Sequence, residues 1–260
     1  MFGMICAQLF RVVKSRSFIV VSFVVAAWAA MQTFSVWTSA QPEYGMTPLI
    51  GGDLSNASIL TIYGSSIVEG SPLTVFAGVF VNFFVMADFK SNYIKNLVPT
   101  LGGRVAYATA LMVISIIVVA WFTLLGLCAT VAILCVLGQS FVVPAVGEFM
   151  LWLIQVVFAV SVYCMIVLVS VFLSKNEVVG LVMALALGFG WAETMVASVL
   201  LNTPGLPDAL YGCVNLFLAA DLSTLGQGLL FEPIACAFAV VVAAVVGAVC
   251  VLIMCRRNLG

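Results

Sequence analysis

Residues 149–201 read FMLWLIQVVFAVSVYCMIVLVSVFL, then SKNE, then VVGLVMALALGFGWAETMVASVLL. Two apolar runs, 149–173 and 178–201, are separated only by Ser174, Lys175, Asn176 and Glu177. A helix rises about 1.5 Å per residue, so roughly 20 apolar residues cross a hydrocarbon core of about 30 Å. Each run is long enough to span a membrane, and the link between them leaves room only for a tight hairpin. Working outward, comparable runs fall at 18–37, 72–87, 105–138 and 234–254. The run at 105–138 exceeds one crossing and is expected to tilt or project. The run at 72–87 opens on Ser71-Pro72, a cap followed by proline at the first helical position. The expected fold is all-α and polytopic, with six transmembrane helices.

The charges orient this array. Lys and Arg number nine, at Arg11, Lys14, Arg16, Lys90, Lys95, Arg104, Lys175, Arg256 and Arg257, and every one falls on the same side of the six runs. Basic residues resist translocation, so that side is expected to be cytoplasmic, with both termini inside. Most acids lie on the other side, at Glu43, Asp53, Glu69, Glu148, Asp208, Asp221 and Glu232; Asp88 and Glu177 alone keep company with the bases. With 65% hydrophobic and 7% charged residues the chain cannot keep its apolar surface in water. It offers neither a soluble domain nor a basic surface for nucleic acid. A single transmembrane domain over 1–260 is expected.

Little lies outside the runs. Residues 1–17 place Phe2, Ile5, Cys6, Leu9 and Val13 on one helical face and Gln8, Arg11 and Lys14 on the other, the pattern of an interfacial amphipathic helix. A signal peptide cleaved after Thr38-Ser39-Ala40 is the rival reading, and its removal would unbalance the six spans. The Gly/Ser/Pro-rich stretch 39–71 reads as an external loop. The stretch 202–233 reads as short external helices lying on or dipping into the outer leaflet. Of the eight cysteines only Cys213 is expected outside, so no external disulfide framework forms. With zero histidines there is no usual metal set and no Ser-His or Cys-His nucleophile. No phosphate-binding GxxxxGK[ST] loop is present. No catalytic residue, metal or cofactor is expected in this chain.

The informative polar segment is 88–104. Asp88 ends a span; Phe89, Tyr93, Ile94 and Leu97 share the face of a short helix that also carries Lys90 and Lys95; Gly102-Gly103-Arg104 then breaks back towards the membrane, with Tyr107 beyond. Such a face fits a groove on a cytoplasmic protein. The competing reading makes Lys90, Lys95 and Arg104 simple anchors beside anionic lipid.

The acid–aromatic pair, Ile94-Lys95-Asn96-Leu97, and Arg104-x-x-Tyr107 resemble the signature of type-2 ABC (ATP-binding cassette) transporter permeases. The likeness is to bacterial exporters of antimicrobial peptides and drugs, lantibiotic-immunity permeases among them. The entry helix, six spans and short external helices before span six are similar as well. Two positions depart from the family pattern, Tyr93 where glycine is frequent and Ala110 or Leu111 where lysine is frequent. The resemblance implies that Asp88, Phe89, Lys90, Tyr93, Ile94, Lys95, Leu97 and Arg104 couple to a separate ATPase subunit. That subunit would bind ATP and Mg. A second copy of the chain or a sister permease would complete the assembly in a bacterial plasma membrane.

Inside the membrane Glu193 and Asn82 are candidates for a substrate cavity. A charged Glu193 facing lipid would cost about 1–3 kcal/mol, so it either meets a cationic substrate or is satisfied by protein or water. Asn82 and Gln155 have interhelical hydrogen bonding as their alternative. Rows of small residues, Gly180, Ala184, Gly188 and Ala192 on span five and Ala235, Ala239, Ala243 and Gly247 on span six, allow close helix approach. Packing of span five on span six is expected, with a dimer seam as the alternative. The expected function is the permease half of an ATP-driven exporter. A non-transporting immunity or sensory protein and a proton-coupled transporter stand as alternatives.

Overall fold

The computed structural model describes residues 2–41, 57–91, 101–202 and 218–256. The helices are α1 (Phe2–Lys14), α2 (Arg16–Ser39), α3 (Ile59–Tyr63, running on into a π-helical turn, Gly64–Val68), α4 (Pro72–Lys90), α5 (Leu101–Val136), α6 (Val146–Ser174), α7 (Glu177–Gly188), α8 (Trp191–Asn202), α9 (Leu218–Gly226) and α10 (Pro233–Arg256). The described residues contain no strand. Their extended pairing is one isolated bridge, in which Ile59 N–H donates to Val142 O and Val142 N–H donates to Ala57 O, both at 3.0 Å.

Five helices, α2, α4, α5, α6 and α10, are long and apolar enough to cross a membrane, so the fold is that of an all-α polytopic membrane protein. Burial ranks them. In their most apolar windows α4 and α6 are 61% and 67% buried, whereas α2 and α10 are 22% and 17% buried. The first two form the centre, and the last two leave most of their surface to lipid. At the centre Phe80 of α4 meets Phe18 of α2 and Phe122 of α5, with ring centroids 5.7 and 5.9 Å apart. Trp152, Tyr163 and Phe172 of α6 are fully buried. With 36 residues, α5 is about 54 Å long at the usual helical rise, longer than one crossing requires.

The run 178–201 does not form a single helix. It is divided between α7 and α8 at Phe189-Gly190, where Gly190 has φ +66° and donates its N–H to Leu187 O at 3.0 Å. A left-handed glycine is the usual stop for a helix, because it carries no Cβ to clash. At 12 residues apiece, neither half is long enough to cross alone. Most described side chains of α8, including Met195 and Val199, are exposed.

The small residues of α7 seat α4 rather than the sixth span. A Cβ on Gly180 would lie 2.0 Å from Asn82 Oδ1, and one on Gly188 would lie 2.3 Å from Val75 Cγ2. A Cβ on Gly78 would lie 3.0 Å from the Cβ of Ala184. The α10 row faces elsewhere: Ala235 and Ala239 are buried, Ala243 is half-buried, and a Cβ on Gly247 would be 3.7 Å from Met112 Sδ of α5. The side chain of Ala192 lies outside the described residues.

The stretch expected as an outer loop holds a buried element. Ile59, Leu60, Ile62, Tyr63, Ile67 and Val68 are each at most 3% exposed. Tyr63 donates its hydroxyl to Thr123 O at 3.0 Å, and Gly64 lies so close to α9 that an added Cβ would sit 2.5 Å from Gly226 O. The apolar segment from Ala57 to Val68 is too short to span, and it is covered from both sides by distant parts of the chain.

Candidate functional site at the basic end of the bundle

α4 continues through Lys90, and the described residues resume at Leu101, already helical. Gly102 and Gly103 therefore lie within α5 and do not break it. Tyr93, Ile94, Lys95 and Leu97, the heart of the expected coupling face, lie outside the described residues. Both ends of that segment are described, and each is tied to other helices.

Asp88 is fully buried at the last turn of α4. Arg11 of α1 pairs with it through both guanidinium nitrogens: Nη1 donates to Oδ2 at 3.0 Å and Nη2 donates to Oδ1. Tyr107, in the second turn of α5, donates its hydroxyl to Asp88 Oδ2 at 2.8 Å. Gln8 Oε1 accepts from Arg11 Nη1 at 3.0 Å, and the guanidinium carbon lies 5.3 Å from the centre of the Phe84 ring. A buried carboxylate is tolerated only when its lone pairs are answered, and a bidentate arginine with a phenol answers them. The acid and the tyrosine of the Arg-x-x-Tyr element thus bond each other. Asp88, expected on a docking face, is itself fully buried, and its bonds run to Arg11 and Tyr107.

The polar face of α1 turns inward to reach Asp88, with Gln8 and Val12 buried. Phe2, Phe10 and Val13 are left 56–80% exposed, as suits a helix lying in an apolar interface.

Two further ties surround the clamp. Lys90 pairs with Glu177 at the start of α7, while the backbone carbonyl of Glu177 accepts from Asn82 Nδ2 at 3.0 Å. Arg104 Nη1 donates to Cys255 O in the last turn of α10 at 3.3 Å. Together these bonds link α1, α4, α5, α7 and α10 around the points where the chain enters and leaves residues 92–100. Phe89, expected on the docking face, packs edge-on to Phe172 of α6 with centroids 6.2 Å apart, and Lys90 is exposed.

Asn82 is buried as a bond between α4 and α7, and its Oδ1 has no partner among the described residues. Gly180 lets α7 pack closely against it, since a Cβ there would run into Asn82 Oδ1. Gln155 is likewise a link: Oε1 accepts from Phe231 N–H at 3.1 Å. Glu193 falls in the first turn of α8, and its side chain lies outside the described residues. Among the described residues no group of three His, Cys, Asp or Glu could hold a metal ion.

Arg11 as the partner of Asp88 was not foreseen. The signal was present: Asp88 and Glu177 are the two acids that break the charge segregation, and each is bound to a base. No protein-family model matches the chain, and no curated protein matches it.

Proposed function

We propose that the chain is the permease subunit of an ATP-driven exporter of the ABC type 2 kind, moving a hydrophobic or amphipathic substrate across a bacterial plasma membrane. The observation that carries the reading is the anchoring of loop 92–100. One end leaves α4 beside Asp88 and Lys90 and the other enters α5 at Arg104 and Tyr107; Asp88 bonds to α1, Lys90 to α7 and Arg104 to α10, while Tyr107 ties α5 to Asp88. A push on the loop therefore reaches several membrane helices at once, which is what coupling to an external ATPase requires. A loop serving only as a lipid anchor has no need of that bracing.

In this reading Ile94, with Tyr93 and Leu97, seats the ATPase; Asp88 holds the loop's base in place; and closure of paired ATPases rocks the helices joined to it. Two copies, or this chain with a sister permease, face each other. Driving a cycle requires the inward and outward states to bind substrate with different affinity.

The test is copurification in mild detergent, with subunits identified by mass spectrometry. An ABC ATPase is expected with the native chain and is expected to be lost in Ile94→Asp, which still reaches the membrane. Equal association of both proteins defeats the coupling role of Ile94; absence of any ATPase favours a non-transporting binding protein. If Glu193 meets a cationic substrate, Glu193→Gln loses transport with assembly intact. Unchanged transport leaves it a structural residue.

A further inference from the structure

A groove of about 300 Å³ opens at the basic end where α1 turns into α2 and passes the last turns of α4. Phe10, Lys14, Ser15 and Ser17 line one side; Phe83 and Ala87 line the other; Arg11 and Phe84 of the clamp form its floor. We infer that this groove binds the headgroup of an anionic phospholipid, with an acyl chain lying along the exposed faces of Phe83 and Phe10.

Charge is the first argument. No acid lines the groove, and the Arg11 charge is answered by Asp88. Lys14 is exposed, and it has no ion-pair partner among the described residues. The net charge offered to an occupant is therefore positive. Ser15 stands at the N-cap of α2 with extended backbone, makes no side-chain cap bond and lines the groove.

Place is the second. The groove lies where α2 begins its apolar run and α4 ends its own, the level at which a bilayer crossed by these two helices would place its headgroups. Phe83 and Phe10 are 37% and 65% exposed, so its rim is apolar on the side that faces lipid. A volume of about 300 Å³ is a small opening, fitted to a headgroup-sized occupant. The inference needs only that the protein lies in a bilayer, and it stands whether or not the chain pairs with an ATPase.

The test uses the full chain reconstituted in bilayer discs of equal parts phosphatidylglycerol and phosphatidylcholine, then released for native mass spectrometry. The native protein is expected to retain phosphatidylglycerol over phosphatidylcholine by about fivefold, the factor that one lysine contributes beside anionic lipid. Lys14→Gln, which removes the charge, is expected to bring retention near parity. Ala87→Trp, which fills the groove and leaves every charge in place, is expected to do the same. Lys175→Gln, a basic position outside the groove, is expected to leave the preference unchanged. The inference is overturned if the native protein shows no preference, or if the preference survives both groove variants. It is also overturned if Lys175→Gln erodes retention equally, which means diffuse attraction. Displacement of the lipid by 10 mM inorganic phosphate overturns it too, by marking a site for free anions.

Discussion

The two ends of the bundle are held by different physics. At the basic end the contacts are charged and directional: Arg11 with Asp88 and Tyr107, Lys90 with Glu177, Arg104 with a backbone carbonyl. At the opposite end α3, its π turn and α9 meet backbone to backbone. Gly64 abuts Gly226 O; a Cβ on Gly226 would lie 2.6 Å from that of Glu69; and Gly228, at φ +78°, would bring one within 2.7 Å of Thr61 Oγ1. The bonds there are neutral, Tyr63 to Thr123 O and Trp152 Nε1 to Leu225 O, each 3.0 Å. Among the described residues both ion pairs are at the basic end. Charged bonds between helix ends can be exchanged while the helices stay intact, whereas the glycine contacts leave no room for a side chain between the backbones.

Breaking each end separately sharpens this comparison. Asp88→Ala is expected to have the largest effect, about 3–5 kcal/mol, because it removes the carboxylate to which a partly buried guanidinium and the buried Tyr107 hydroxyl both donate. Thermal unfolding in detergent checks it, and the double change Arg11→Met with Asp88→Leu is expected to recover most of the loss. Failure of that rescue means that Asp88 does more than answer its partners. Gly64→Ala follows at about 1–3 kcal/mol, since the atoms in its way are backbone and cannot swing aside. A melting temperature equal to the native one would show that the seam is loose. Lys90→Gln comes last, below about 1 kcal/mol and smaller still in high salt, because the lysine is 65% exposed and the glutamate 33%. A loss as large as that of Asp88→Ala would place this pair in the clamp proper.

Much of this was legible in the sequence. Run length and the placement of bases point to the polytopic helical fold, because lipid demands about 20 apolar residues wherever a helix crosses. The polar face of the first 17 residues and the outlier acids Asp88 and Glu177 were visible, and they proved to be partners of bases. Their specific pairing was not, because Arg11 and Asp88 are 77 positions apart and only the fold brings them together. The Ile59–Val68 element was hidden by its length, since burial by distant helices leaves no mark on a short segment. The division of 178–201 had a signal in Gly188-Phe189-Gly190, but a glycine-rich row also reads as a packing face, and composition alone cannot choose between them. The same row seats α4 rather than the sixth span because the partner of a small-residue face is set by topology.

In the proposed function the segment between α4 and α5 meets an ATPase and passes its movement to the helices bound at its base. The most direct measurement is photocrosslinking in native membranes from a reactive amino acid placed at position 94, with one at position 198 as reference. A crosslinked ABC ATPase is expected at position 94 and none at position 198. Crosslinks at position 94 to lipid alone, with an ABC ATPase present in the same membranes, would contradict it.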